Sequence, residues 1–294
     1  MSAPAPAPVT GRRILLVDDD RGLRHVLSAL LTTAGHAVQS AGDGPEAIAL
    51  CRHGAFDILL VDIGLPSMSG LEVLERARAL PNPPLVIVMT ADDTSETLLE
   101  AVRRQAYRYI RKPFPPNEIV EVIEGAVAGA PAAALSIEVV SARPEWLEVI
   151  ATCSLEMADR LHSFVMHLGA DLPEPVRERV AQAFRELLTN AIEWGGKLDP
   201  SRKVRISCVR AKRMLLYRIA DPGEGFDLER LRHAAISNPV DEPLRHIDVR
   251  EETGLRPGGY GLAMTRSLVD ELIYNEARNE VICIKYLDQP GGES

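Results

Sequence analysis

Between Arg12 and Ala128 short apolar runs of strand length alternate with stretches whose apolar residues recur at helical spacing. Ile14 to Val17 form one run, Phe56 to Ile63 another and Leu85 to Ala91 a third. Continuous apolar runs of this kind suit central parallel strands covered on both faces. After the first run Leu23, Val26, Leu27, Leu30 and Leu31 mark a helix, and residues 45–53, 70–80, 95–105 and 117–128 read as further helices. Five strands alternating with five helices predict a doubly wound α/β domain on a five-stranded parallel sheet over residues 11–128.

In such a sheet ligands sit beyond the carboxyl ends of the strands. The polar residues fall there. Asp18, Asp19 and Asp20 follow the first run, Asp62 closes FDILLVDI, Thr90 closes LVIVMTA and Lys112 closes YRYIRKPF. Converging carboxylates repel and raise each other's pKa. A hard divalent cation relieves that repulsion, and Mg²⁺ takes a few carboxylates plus waters and phosphate oxygens. A lysine and a hydroxyl opposite the metal would hold a phosphoryl group, and a nucleophilic carboxylate would form an acyl phosphate with it. Any one of these aspartates is also explained as a helix cap or a solvated charge, Asp20 most simply. The ordered set is not.

VDDD, LLVDIGLPSMSG, MTA and YRYIRKPF together resemble the response-regulator receiver domain over about residues 11–128. The resemblance implies that Asp62 is the phosphoacceptor and that Asp18, Asp19, Asp62 and the main-chain carbonyl of Gly64 ligate Mg²⁺. It implies that Lys112 and Thr90 contact the phosphoryl group and that Tyr109 turns inward when Thr90 moves. It also makes Lys112–Pro113 a candidate cis peptide. An upstream histidine kinase or phosphotransfer protein would be the donor. Gly64 is smaller than the residue many receivers carry there, which would leave the site open to water.

The pattern changes after residue 128. Residues 125–135 are a weakly patterned Ala/Gly/Pro stretch, and 129–135 read as a linker. A strand at 137–140, helices around 145–168 and 175–194, a hairpin-like pair KVRISCV and MLLYRIA, a helix at 261–271 and two short strands predict an α+β domain over 136–288. Within AQAFRELLTNAIEWGG, Glu186 and Asn190 lie one helical turn apart on one face. An Asn amide oxygen can ligate Mg²⁺, and the Glu can orient a water or act as a general base. ADPGEGFDL carries Asp221, Gly223 and Gly225 just after an apolar run, where a buried carboxylate can accept from an exocyclic amine such as that of adenine. RPGGYGLAMTRSLVDEL puts Gly258, Gly259 and Gly261 before a helix, the form of a phosphate cradle. Each motif alone is also read as a polar helix face or a turn.

In this order the three motifs resemble the N, G1 and G2 boxes of the GHKL ATP-binding fold, and most of all the bacterial anti-sigma-factor serine kinases. The resemblance implies an ATP-binding sandwich in which Asn190 binds Mg²⁺ and Glu186 is the candidate base. Asp221 reads the adenine amine, with Gly223 and Gly225 beside the base. Gly258, Gly259 and Gly261 contact phosphates, and 228–257 form a lid. Trp194 stands where these kinases often carry histidine, which bears on phosphoryl transfer more than on ATP binding.

The chain's 294 residues suffice for two domains, between a Pro/Ala tail over residues 1–10 and a short tail over 289–294. The net charge of -9 argues against a broad nucleic-acid footprint, so no direct nucleic-acid partner is expected. Four dispersed cysteines suit a reducing compartment, and no apolar run reaches the ~18 residues of a membrane span. A cytoplasmic location without membrane contact follows as an expectation. The seven histidines form no metal-spaced cluster, and His162 and His167 sit in no recognisable phosphoacceptor motif. Trp146 is expected to anchor packing at a helix start. These readings lead to a two-component response regulator, phosphorylated on Asp62, whose output is an ATP-dependent serine/threonine kinase acting on an anti-sigma antagonist or a sigma factor. The alternative is a non-catalytic ATP-binding adaptor that captures such a partner. A homodimer is compatible with both.

Overall fold

The structure, a computed structural model, describes residues 11–92, 94–128, 137–169, 171–226 and 261–287. The chain divides into two compact units between Ala132 and Ala133. In the first unit five strands alternate with five helices: β1 (Arg13–Val17), α1 (Arg21–Thr33), β2 (Ala37–Ala41), α2 (Gly44–His53), β3 (Ile58–Asp62), α3 (Gly70–Arg78), β4 (Leu85–Thr90), α4 (Ser95–Arg103), β5 (Arg108–Arg111) and α5 (Pro116–Ala128). The sheet is parallel in the order β2-β1-β3-β4-β5. Ile14 to Val17 and Ile58 to Val61 are fully buried, as their unbroken apolar character requires. Helix starts are set locally. Asp20, Asp43, Ser69 and Thr94 cap α1, α2, α3 and α4, and Ser69 forms a capping box with Glu72.

The second unit contains β6 (Ile137–Arg143), β7 (Trp146–Thr152), α6 (Leu155–Leu168), α7 (Glu174–Asn190), a π-helical turn (Ala191–Gly195), β8 (Lys203–Ala211), β9 (Met214–Ala220), α8 (Gly261–Leu268), β10 (Glu271–Tyr274) and β11 (Glu280–Tyr286). Its sheet is antiparallel, in the order β10-β11-β9-β8-β7-β6. Alternate residues Leu147, Val149, Ala151, Val204, Ile206, Leu215, Tyr217, Ile219, Val281 and Cys283 are buried. Phe184 of α7 is fully buried, its ring centroid 5.3 Å from that of Tyr217 on β9.

Two sequence expectations are corrected here. The helix read at 145–168 is a strand followed by a helix. Trp146 to Thr152 pair with β6 on one side and β8 on the other, and α6 begins only after Ser154, whose hydroxyl accepts from Met157 N at 3.2 Å. Trp146 is therefore no packing anchor at a helix start: it opens β7 with 46% of its surface exposed. The helix read at 261–271 stops at Leu268, because Asp270 N already pairs with Ile284 O on β11. The segments read as linker and lid lie outside the described residues.

Candidate functional site

The first unit's site forms where strand order reverses, at the carboxyl ends of β1 and β3. Asp18 is fully buried and Asp62 nearly so. Lys112 follows β5, and its Nζ lies 2.6 Å from Asp18 Oδ2 and 2.7 Å from Asp62 Oδ1. One ammonium thus joins two carboxylates from different strands. Asp18 Oδ1 accepts from Asp20 N at 3.0 Å, and Asp62 Oδ2 accepts from Gly64 N at 2.8 Å. Burial raises the Asp18 pKa, and its hydrogen bonds to Lys112 and Asp20 oppose this only in part. Burial would lower the Lys112 pKa, but hydrogen bonds and charge from Asp18 and Asp62 outweigh it and hold Lys112 above its ordinary value.

Asp19 is exposed beside this pair. Among the described residues no three His, Cys, Asp or Glu side chains stand close enough to cage a metal alone. Mg²⁺ does not need such a cage, because it keeps several waters and binds through one or two carboxylates. The all-oxygen donors here fit it.

Thr90 and Tyr109 are buried at the ends of β4 and along β5. Both are tied to a residue the sequence did not single out. Thr90 Oγ1 accepts from Asp92 N at 3.0 Å, and the Tyr109 hydroxyl donates to Asp92 O at 2.6 Å. The Asp92 carboxylate accepts from Thr94 N at 3.0 Å and from Thr97 Oγ1 at 2.5 Å, which fastens it to the start of α4. The Thr97 bond chiefly holds the Asp92 carboxyl below its usual range. Arg24 was missed as well: it donates from α1 to the main-chain oxygen of Asp18. The Lys112–Pro113 peptide is cis, as its sequence suggested.

In the second unit Glu186 and Asn190 are half-buried near the end of α7. Gly261, the first residue of α8, is placed so that a Cβ there would lie 2.6 Å from Glu186 Oε2 and 3.8 Å from Asn190 Nδ2. The N-box pair and the last G2-box glycine therefore meet. The buried Thr265 hydroxyl donates to Gly261 O at 2.8 Å and fixes this first turn. Beyond Asn190 the π-helical turn delivers Gly195 to Asp221, where a Cβ would fall only 2.0 Å from Asp221 Oδ1. That oxygen accepts from Gly223 N at 2.7 Å. Burial raises the Asp221 pKa against the opposing effects of Gly223 N and the Arg202 charge. Gly225 has φ +84°, and a Cβ there would lie 1.6 Å from Ala277 O, so only glycine fits. Trp194, immediately before Gly195, is 55% exposed. Gly258 and Gly259 lie outside the described residues.

Residues 14–124 match the response regulator receiver domain family and residues 154–285 the histidine kinase-like ATPase domain family. The chain thus carries an N-terminal receiver domain and a C-terminal histidine kinase-like ATPase domain. It is 30% identical over 204 residues to the DNA-binding transcriptional regulator NtrC of Azospirillum brasilense, a match covering 69% of this chain and 42% of that protein. It is 39% identical over 114 residues to the probable transcriptional regulatory protein TcrX of Mycobacterium tuberculosis, covering 38% of this chain and 47% of that one. The chain thus spans less than half the length of these curated relatives. Neither matched family is a DNA-binding module. Among solved structures it is similar to a CheY-like receiver from Methanospirillum hungatei, with 32% identity, TM-score 0.39, and coverage of 40% of this chain and 94% of that one. It is also similar to the receiver domain of a Pseudomonas aeruginosa sensor histidine kinase, described with a magnesium ion in its active-site cleft, with 26% identity, TM-score 0.39, and coverage of 40% and 99%. Among the described residues no helix is long and apolar enough to cross a membrane.

Proposed function

We propose that this protein is a response regulator whose Asp62 accepts a phosphoryl group and whose output is an ATP-dependent serine/threonine kinase of the anti-sigma-factor type. The observation that carries the receiver half is the Lys112 ammonium held between Asp18 and Asp62. In the reaction an Asp62 carboxylate oxygen attacks the phosphorus of a phosphohistidine on an upstream kinase or phosphotransfer protein. The new P–O bond forms as the P–N bond breaks, and the histidine leaves as the neutral imidazole once protonated. Lys112 offsets charge on the transferring group. The Thr90 oxygen accepts from Asp92 N–H, and the hydroxyl hydrogen would donate to the phosphoryl group. Asp18, Asp19, Asp62 and the Gly64 carbonyl would hold Mg²⁺, which when bound offsets charge on the phosphoryl oxygens. Displacement of Thr90 would pass through Asp92 to Tyr109 and α4.

In the ATPase domain Asn190 would hold the Mg²⁺ of ATP, and Glu186 would take the proton from a Ser or Thr hydroxyl on a partner such as an anti-sigma antagonist. Asp221, Gly223 and Gly225 would receive the adenine, and Gly258, Gly259 and Gly261 the phosphates. The test uses the full chain with Mg²⁺ and a small phosphodonor, then with ATP and candidate partners. Acid-stable phosphate on partner Ser or Thr that is lost in Glu186→Ala supports the kinase. Equal transfer by Glu186→Ala removes Glu186 as base. The exposed Trp194, at the place of the kinases' histidine, favours a second reading, a non-catalytic adaptor. Tight ATP binding with no transfer to any partner would select it.

A further inference from the structure

The loop from Asp221 to Gly225 is gripped by the turn between β10 and β11, far away in sequence. Asp221 N donates to Asn279 O at 2.8 Å, and Asn279 Nδ2 donates to Gly223 O at 2.9 Å. Asn279 thus bonds both ends of the Asp221–Gly223 segment, once through its main chain and once through its side chain. The turn is braced from within. Asn275 Oδ1 accepts from Asn279 N at 3.1 Å and from Glu280 N at 3.2 Å, and Asn275 Nδ2 donates to Asn279 Oδ1 at 2.8 Å. From the other side Arg202 Nη2 donates to Pro222 O at 2.6 Å.

This grip sets where the Asp221 carboxylate can point. Its Oδ1 is occupied by Gly223 N. Among the described residues no bond is found for Oδ2. The Gly223 N–H belongs to the Pro222–Gly223 peptide, whose carbonyl Arg202 Nη2 holds, and Asn279 brackets that peptide by bonding Asp221 N before it and Gly223 O after it. We infer that Asn279 is a positioning residue for base recognition: its carboxamide fixes the Asp221 carboxylate so that Oδ2 faces an amine-bearing purine and rejects one with an oxygen at that place. The inference rests on the reading of Asp221 as the adenine acceptor. A carboxylate lone pair accepts from the adenine amine and is repelled by the guanine oxygen, so a fixed carboxylate discriminates, whereas a loose one turns away or admits water.

The experiment measures ATP and GTP affinity by calorimetry for the full chain and for Asn279→Asp, Asn279→Ala and Asp221→Ala. Asn279→Asp keeps size and the Asn275 bond but replaces the Gly223 donor with an acceptor. Asn279→Ala removes the donor without adding charge. Both are expected to lower the ATP-over-GTP preference roughly five- to tenfold, the scale of one lost hydrogen bond, and to speed amide hydrogen exchange over residues 221–225 but not over the β8–β9 pair. An unchanged preference in Asn279→Ala, with Asp221→Ala erasing it, would overturn the inference and leave the adenine reading intact. A loss in Asn279→Asp alone would assign the effect to charge and also overturn it. A wild-type chain without preference, or an Asp221→Ala variant that keeps it, would overturn the adenine reading itself.

Discussion

The two sites are assembled by different means. The receiver gathers Asp18, Asp62, Thr90 and Lys112 from the ends of four strands in one parallel sheet, and a single rule of the fold places them all. The ATPase domain draws Glu186 and Asn190 from a helix, Asp221 from beyond β9, Gly261 from the start of α8 and Asn279 from a turn. No single element positions that set: α7 and α8 meet at Gly261, and bonds between the Asp221 loop and the β10–β11 turn hold the rest. A receiver site should therefore break at its charged residues, and the ATPase site at its polar turn residues as well.

The largest expected effect is on Asp62. Asp62→Asn should abolish labelling by a small phosphodonor with Mg²⁺, while ATP affinity of the unphosphorylated chain stays within about twofold, since the two sites are built from different residues. A tenfold fall in ATP affinity would end the description of two separately built sites. Next, Lys112→Met leaves two buried carboxylates without their cation. It should lower the unfolding free energy of the receiver by about 3 kcal/mol in urea titrations at neutral pH. A change below the error of the method would mean that water already serves those carboxylates.

Tyr109→Phe is a smaller perturbation. It removes the donor to Asp92 O and should cost about 1 kcal/mol. The ATPase transition should not move, and a shift there would couple the units. The smallest effect concerns acid. The Arg218 hydrogen bond holds the Glu280 carboxyl below its ordinary value, even though burial opposes it. Stability from this pair is present above the unfolded value of 4.5 and is lost as pH falls through the lower folded value. Arg218→Met should flatten the acid limb of the ATPase unfolding profile below about pH 5, leaving the receiver limb unchanged. An unaltered profile would show the pair to be solvated at both pH extremes.

The receiver was legible because its signals are local. An apolar run fixes a buried strand, its last residue fixes a place on the ligand-binding edge, and capping residues fix the helix starts. Residues 146–152 were misread because Leu147, Ile150 and Ala151 also suit a helix when their partners on β8 are unknown. The exposed Trp146 gives no correction from sequence, since only pairing with Arg143 on β6 and Val209 on β8 makes it a strand residue. Asn190 and Asp221 were found as separate motifs, but the π-helical turn that brings Gly195 against Asp221 has no sequence signature.

By itself, then, the sequence determined which side chains carry charge, and in the receiver also where they go, because strand ends follow from short-range pattern. Only the tertiary structure decided the roles of Asp92, Arg24 and Asn279. Each is joined to the sites through main-chain atoms: Asp92 through its own N–H and carbonyl, Arg24 to the oxygen of Asp18, and Asn279 through the oxygen of Gly223 and its own carbonyl. Every residue but proline carries the same peptide donor and acceptor, so such contacts select no residue type at the main-chain position and leave nothing in the sequence to read.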